Sequence, residues 1–328
     1  MATQAACAPM SAVRPRGLER PRHLEKLRPW RVVADVARCY GLIVLAFAVL
    51  IWCDAWWAYA LAFITIGTQQ YTLALIEHDG KHGTLMRSRL LNDVFSRLLI
   101  CAPIGVDIDF TMAKHRHREH HHWVGAEPDP IRHKYAADDK ATPARFAWFL
   151  TGVPSLTDDL AIACRLRDRS GIIALVAVWQ LLCRWAPVIG AQILICAAVM
   201  QFLPWWYYAA FWLAPIYVLV FLPSKVRTFC DHGHAVLPDA AADGRRLISY
   251  RPTVLERLFI SPVNMHHHAE HHLWPAVPYY NLRALHRYVG SRIEIEVRGS
   301  YARFLWAYCR SLPLLTGDQA LATPAPPR

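Results

Sequence analysis

The chain predicts an all-α integral membrane protein: four transmembrane helices in two hairpins, under a cytoplasmic helical cap that carries the histidine-rich segments. Three observations lead there. None of the 36 Lys and Arg residues lies in 39–80 or in 185–224, and both stretches are almost continuously apolar. The polar remainder is basic, with a formal net charge of +11. Fourteen of the 17 histidines fall into four groups placed just beyond the apolar stretches or between them. The chain of 328 residues is 55% hydrophobic while its mean hydropathy is only +0.17, so apolar and polar residues are segregated along it. That excludes a disordered chain, a disulfide-knit secreted domain and a plain soluble globule.

The elements follow in order. Residues 1–35 form a cytoplasmic tail, with residues 1–30 rich in Pro, Ala and Arg. The first apolar stretch, about Val36 to Ile76, is too long for one crossing of roughly 20 residues and suits two. Asp54 with Trp56 and Trp57 marks the turn, giving spans of about 36–53 and 56–77. Leu90 to Ile108, interrupted by Asn92, Asp93, Ser96 and Arg97, reads as an amphipathic interfacial helix. Gly171 to Cys183 is too short to span and reads as another. The second long stretch, Trp185 to Ser224, turns at Pro204, Trp205 and Trp206, giving spans of about 186–203 and 205–222. The membrane domain covers 36–290, and 291–328 is a cytoplasmic C-terminal tail.

Charge sets the orientation. Basic residues number 8 in 1–38, 15 in 81–184 and 13 in 225–328. Two hairpins put all three segments on the cytoplasmic side, as the positive-inside tendency favours, whereas single crossings would split them across the bilayer. The expectation is a multi-pass protein of a bacterial inner membrane with both termini and the histidines in the cytoplasm. The nine cysteines contain no C-x-x-C and read as reduced thiols.

Spacing gives the histidines their meaning. On a helix, residues three and four apart share a face. His78 and His82 are i and i+4; His117, His120 and His121 are i, i+3 and i+4; His268, His271 and His272 repeat that pattern. These eight imidazoles, with His232 a ninth, suit two transition-metal ions, and spacing alone does not name the metal. His115, His122, His266 and His267 break the phase and are expected outside the ligand set. His234 is open between an orienting role and the surface. His23, His133 and His286 read as surface residues. Asp79, Glu119, Glu270 and Asp231 are candidates to orient ring N–H groups from behind, although a charge beside such a motif can equally face water.

At this point the chain resembles the membrane fatty acid desaturase superfamily, which includes acyl-lipid desaturases and carotenoid hydroxylases and ketolases. The resemblance covers about residues 40–290. It rests on H-x-x-x-H at His78–His82 and H-x-x-H-H at His117–His121 and at His268–His272, each after the expected hairpin. Glu127-Pro-Asp-Pro130 and His271-His-Leu-Trp-Pro-Ala-Val-Pro278 agree with the family as well. The resemblance implies two non-haem iron ions held almost wholly by histidine. It aligns His232 with an extra histidine ligand, Asp231 with a residue that is often Glu, and Asn264 with an asparagine that reaches the metal through water in some members. His266 and His267 depart from the family's usual pattern.

The implied activity is O2-dependent desaturation of a fatty acyl chain in a membrane lipid or related carrier. The alternative is a hydroxylase or ketolase of a lipid or carotenoid on the same scaffold. A metal transporter or sensor is a third reading, but it needs ionisable residues within the spans, and 185–224 contains no Asp, Glu, His, Lys or Arg. The chain carries no ferredoxin-type cysteine spacing, haem domain or dinucleotide fingerprint. A separate electron donor of ferredoxin, rubredoxin or cytochrome b5 type, with its reductase, is therefore implied. Topology accounts for the positive charge, so no nucleic-acid partner is expected.

Overall fold

The computed structural model describes residues 18–136, 142–155, 174–233, 248–293 and 295–312. The outer parts of both tails, His234 and Gly171–Ile173 lie outside the described residues. What is described is almost entirely helical. The one sheet is a parallel pair of two-residue strands, β1 (Ser249–Tyr250) and β2 (Val297–Arg298), with Ser249 opposite Val297.

Helix α1 (Pro29–Trp52) starts on a proline at its first position, where a missing N–H costs nothing. It buries Val32, Val36, Cys39, Ile43, Ala46 and Leu50, one stripe at alternating spacings of three and four. Val33, Val44, Leu45, Ile51 and Trp52 face outward. The stripe packs on α2 (Trp56–Lys81), whose Ala58, Ala62 and Ile66 are buried. Small residues at such a contact let two backbones approach, which is how helices associate where lipid is as apolar as leucine. Gly67 leaves room for the side chain of Leu219, which would lie 2.5 Å from a Cβ there.

Three helices are long and apolar enough to cross a membrane: α1, the Leu182–Met200 part of α6 (Ala174–Met200), and α7 (Trp206–His232). The expected fourth, α2, is present as a helix but is not among them. Its second half carries Gln69, Gln70, Glu77, Asp79 and Lys81, which lowers its hydropathy. Those residues are tolerated because α1, α3 and α7 surround the helix and bury 16 of its 26 residues.

The short run expected as a separate interfacial helix at 171–183 is also corrected. Residues 174–183 are the first turns of α6, which runs through Pro187 without a break. Arg184, expected to mark a boundary, sits inside the helix and pairs with Asp109 at 3.1 Å. The Leu90 to Ile108 reading is helical through Ile104: α3 (Arg89–Ser96) continues through a π-helical turn (Arg97–Cys101) and Ala102–Ile104. Leu90, Leu91, Val94, Leu98 and Leu99 are exposed on it while Asn92, Ser96 and Ile100 are buried.

Helix α7 contains two π-helical turns, Ala209–Leu213 and Ile216–Phe221, either side of Pro215. A proline in mid-helix lacks the N–H of the regular ladder, and a widened turn accommodates it. Polar side chains tie the helices together here. Gln70 Nε2 of α2 donates to the Trp212 carbonyl at 3.1 Å. Gln192 of α6 donates to the carbonyls of Ala102 and Pro103 and accepts from Tyr208 Oη and Trp212 Nε1.

The remaining helices are short: α4 (Phe110–Trp123), α5 (Pro143–Leu150), α8 (Val254–Phe259), α9 (His268–Leu273), α10 (Leu282–Gly290) and α11 (Tyr301–Ser311). The N-terminal segment is strapped onto the chain that follows α9. Arg28 N donates to Tyr280 Oη at 2.7 Å, Asn281 Nδ2 to the Leu24 carbonyl at 2.7 Å, and Tyr288 Oη to the Glu19 carbonyl at 2.9 Å. The seven described cysteines are free thiols.

Candidate metal centre

Four elements deliver the histidines. His78 lies in the last turn of α2 and His82 caps it. Between them Gly80 has no room for a side chain: a Cβ would lie 2.3 Å from Ser96 Oγ. That glycine lets α3 cross the end of α2, where Asn92 Nδ2 donates to the Gly80 carbonyl and Asn92 Oδ1 accepts from Leu85 N. Asp109 caps α4 by accepting from Met112 N, and α4 carries His117, His120 and His121 on one face. α7 ends at His232, and α9 holds His268, His271 and His272. The chain enters α9 through Val263 and Asn264, both with left-handed backbone (φ 52° and 65°).

The nine histidines converge as two groups. In the first, donor atoms of His78, His82, His117, His121 and His271 all lie within 4.8 Å of one another. In the second, those of His120, His232 and His272 do. His268 joins the second through Nε2, which is 2.9 Å from His232 Nε2 and 3.1 Å from His272 Nε2. The groups abut where the rings of His121 and His272 stack at 3.9 Å.

Each group contains a row of four Nε2 atoms. In the first the order is His271, His82, His117, His121, at successive separations of 3.2, 2.9 and 3.1 Å. In the second it is His272, His268, His232, His120, at 3.1, 2.9 and 3.2 Å. A ring nitrogen offers either one hydrogen or one lone pair, so linear hydrogen bonds can satisfy at most two of the three contacts in a row. Nitrogens ligating one ion at about 2.0–2.1 Å stand about 3 Å apart at right angles, so these separations are those of metal ligands. Each group could hold a transition-metal ion.

Burial reinforces the fit. It pushes His82 down to about 3, with the Lys81 charge adding to the effect. His117, His121, His268, His271 and His272 are held well below the ordinary imidazole value, first by burial and then by neighbouring histidines or basic groups. The rings are therefore neutral, the form that binds a cation. Nδ1 of His78, His121, His271 and His272 is buried without a hydrogen-bond partner.

The residues expected behind the rings differ in what they do. Asp231 is fully buried, 3.2 Å from Arg227 and 3.8 Å from His268 Nδ1. Asp79 accepts from Tyr279 N at 2.5 Å, and its other oxygen lies 3.9 Å from His78 Nδ1. Glu270 is fully buried, but it bonds Ser249 and His286 rather than a ring of either group. Glu119 has no hydrogen bond or ion pair among the described residues. Asn264 Nδ2 donates to the Tyr279 carbonyl.

His115 and His122 are exposed, as their phase requires, while His266 and His267 are buried outside the two groups. His286, expected at the surface, is half-buried and bonded to Glu270. The residue that sequence reasoning passed over is Asp129. It accepts from His120 Nδ1 at 2.8 Å, from Ile131 N at 3.0 Å and from Tyr135 Oη. The Asp-Pro dipeptide after the second box was its signal.

The fatty acid desaturase family matches residues 54–296, about three quarters of the chain and all nine histidines. The chain belongs to this family. It is similar to a beta-carotene ketolase of Haematococcus lacustris, 27% identical over 241 residues, covering 70% of this chain and 63% of the ketolase. It is similar to the dihydrorhizobitoxine desaturase of Bradyrhizobium elkanii, 24% identical over 79% of this chain and 75% of that one. It is also similar to a chloroplastic omega-3 fatty acid desaturase of Brassica napus, 23% identical over 77% and 66%. The chain spans less than two thirds of the ketolase's length. Among its described residues, three helices have the length and composition to cross a membrane.

Proposed function

We propose that the protein is an O2-dependent membrane oxidoreductase that uses two non-haem irons to introduce a double bond into a fatty acyl chain. The observation that carries this reading is the pair of Nε2 rows, which hydrogen bonding cannot satisfy and two metal ions can. His78, His82, His117, His121 and His271 would hold one iron, and His120, His232, His268 and His272 the other. When bound, such a pair uses O2 to remove hydrogen from an unactivated C–H bond.

The chain's own residues hold and shield the centre. Asp129 fixes the proton of His120 on Nδ1, which turns Nε2 toward the second group. Asp231, held by Arg227, places its negative charge 3.8 Å from His268 Nδ1 without a hydrogen bond to it. The second group is buried and the first partly buried, which limits access by water that would compete with an apolar substrate. Desaturation consumes O2, two electrons and two protons and returns two waters, so a separate ferredoxin, rubredoxin or cytochrome b5 type donor with its reductase supplies the electrons.

In this reading α2 is a fourth span shielded by its neighbours, and the short helices form a cytoplasmic cap between 81 and 184 and after 225. Reporter fusions near Asp54, Lys140 and the C-terminus test it. The expected result is an external signal at Asp54 alone, and an external signal at Lys140 overturns the hairpins.

A second reading, oxygenation of a carotenoid or lipid, is favoured by the similarity to beta-carotene ketolases. Mass spectrometry under 18O2, in a host with a defined lipid pool, separates the two. Loss of two mass units without label supports desaturation. A labelled product supports the ketolase or hydroxylase reading. A product formed without O2 overturns both.

A further inference from the structure

A third set of ligand-type side chains lies beside the two groups and shares no residue with them. His267, Glu270 and His286 each bring one donor atom within 4.8 Å of the others. We propose that they form a separate site for one divalent transition-metal ion of the zinc type, tying α9 to α10. The site does not depend on the reading of the central groups.

The donor set comes first. Two imidazoles and one carboxylate form a set that binds zinc with a further position left to water. His267 caps α9, and Glu270 lies three residues on in its first turn. His286 comes from the middle of α10.

Hydrogen bonding then leaves a remainder that a cation would use. Ser249 Oγ donates to Glu270 Oε2 at 2.5 Å and fixes the carboxylate, while Oε1 meets His286 Nδ1. His267 is 8% exposed, and its Nδ1 is buried with no hydrogen-bond partner. Its ring stacks on that of His286 at 4.5 Å, and both rings have a nitrogen within 4.8 Å of a Glu270 oxygen. A Glu–His hydrogen bond alone explains two of the three residues, and a shared cation explains all three. His286 is partly exposed, with a side chain 31% accessible, so a water ligand can complete the site from solvent.

The test uses the full-length, iron-loaded protein in detergent, with Zn2+ as the probe. Iron and zinc are counted separately per chain by mass spectrometry after equilibration with Zn2+ and desalting. The expected result is one zinc more in the wild-type protein than in His286→Ala, with equal iron in both. Zinc affinity should fall at least about tenfold in the variant. His286→Cys keeps a zinc ligand at that position and is expected to restore the ion. Equal zinc in wild type and His286→Ala overturns the site. Loss of iron together with zinc in His286→Ala also overturns it, because His286 would then serve the central groups through Glu270.

Discussion

Helices α2 and α7 both begin at a tryptophan pair and both end among the histidines, yet only α7 has the composition of a membrane-crossing helix. α2 carries Thr68, Gln69, Gln70, Thr72, Glu77 and Asp79, all buried. α7 carries no charged residue until Lys225 and contains two π-helical turns. α2 contributes two histidines a turn apart, and α7 contributes one. A hydropathy window detects what faces lipid. A helix enclosed by protein can hold polar groups at the same depth, provided its neighbours satisfy them.

The largest expected effects lie at the ends of these helices. His121→Ala and His271→Ala should abolish activity and reduce bound iron, whereas His115→Ala and His122→Ala should leave most of both. Equal losses at His115 and His121, by turnover and iron content, would break the assignment of one α4 face to the metals.

Next come two carboxylates behind the second row. Asp129→Asn removes the acceptor that bonds His120 directly at 2.8 Å, while Asp231→Asn alters a contact of 3.8 Å with His268. Metal affinity should fall about 10–100-fold for Asp129→Asn. The fall should be smaller for Asp231→Asn, as measured by competition with a chelator. The reverse order would show that the α7 side holds its ring more firmly than the α4 side.

The smallest effect concerns the contact between the two helices. Gln70→Leu leaves the Trp212 carbonyl beside a π-turn without its side-chain donor, costing about 1–3 kcal/mol. A thermal melt in detergent should report it as a lower Tm with iron content unchanged. An unchanged Tm would mean that α7 satisfies its own backbone there.

Much of this was legible in the sequence. The i, i+3, i+4 phase picked out eight of the nine histidines that converge, all but His232, and set apart His115 and His122, because helical spacing is local information. The turns at Asp54 and Pro204 were legible for the same reason. What was not legible depends on distant packing. The enclosure of α2 comes from three other helices, and α6 continues through Pro187 where composition suggested a boundary. His286 lies 16 residues beyond Glu270, so no periodicity links the two. Asp129 carried a visible Asp-Pro signal, but its partner His120 was fixed only by the fold.

The strap formed by residues 19–28 gives the molecule an order of assembly. It rests on Tyr280, Asn281 and Tyr288, which are made some 250 residues later. The third box lies just before them, and its α9 supplies ligand-type rings to both groups. During synthesis the first hairpin and α4 can hold their histidines near one another, but neither row of four is complete until α9 has emerged. The strap can fasten only after that. Contacts this far apart in the chain close late in folding. Metal loading therefore belongs to the finished polypeptide, and a chain truncated before residue 268 should reach the membrane without a complete centre.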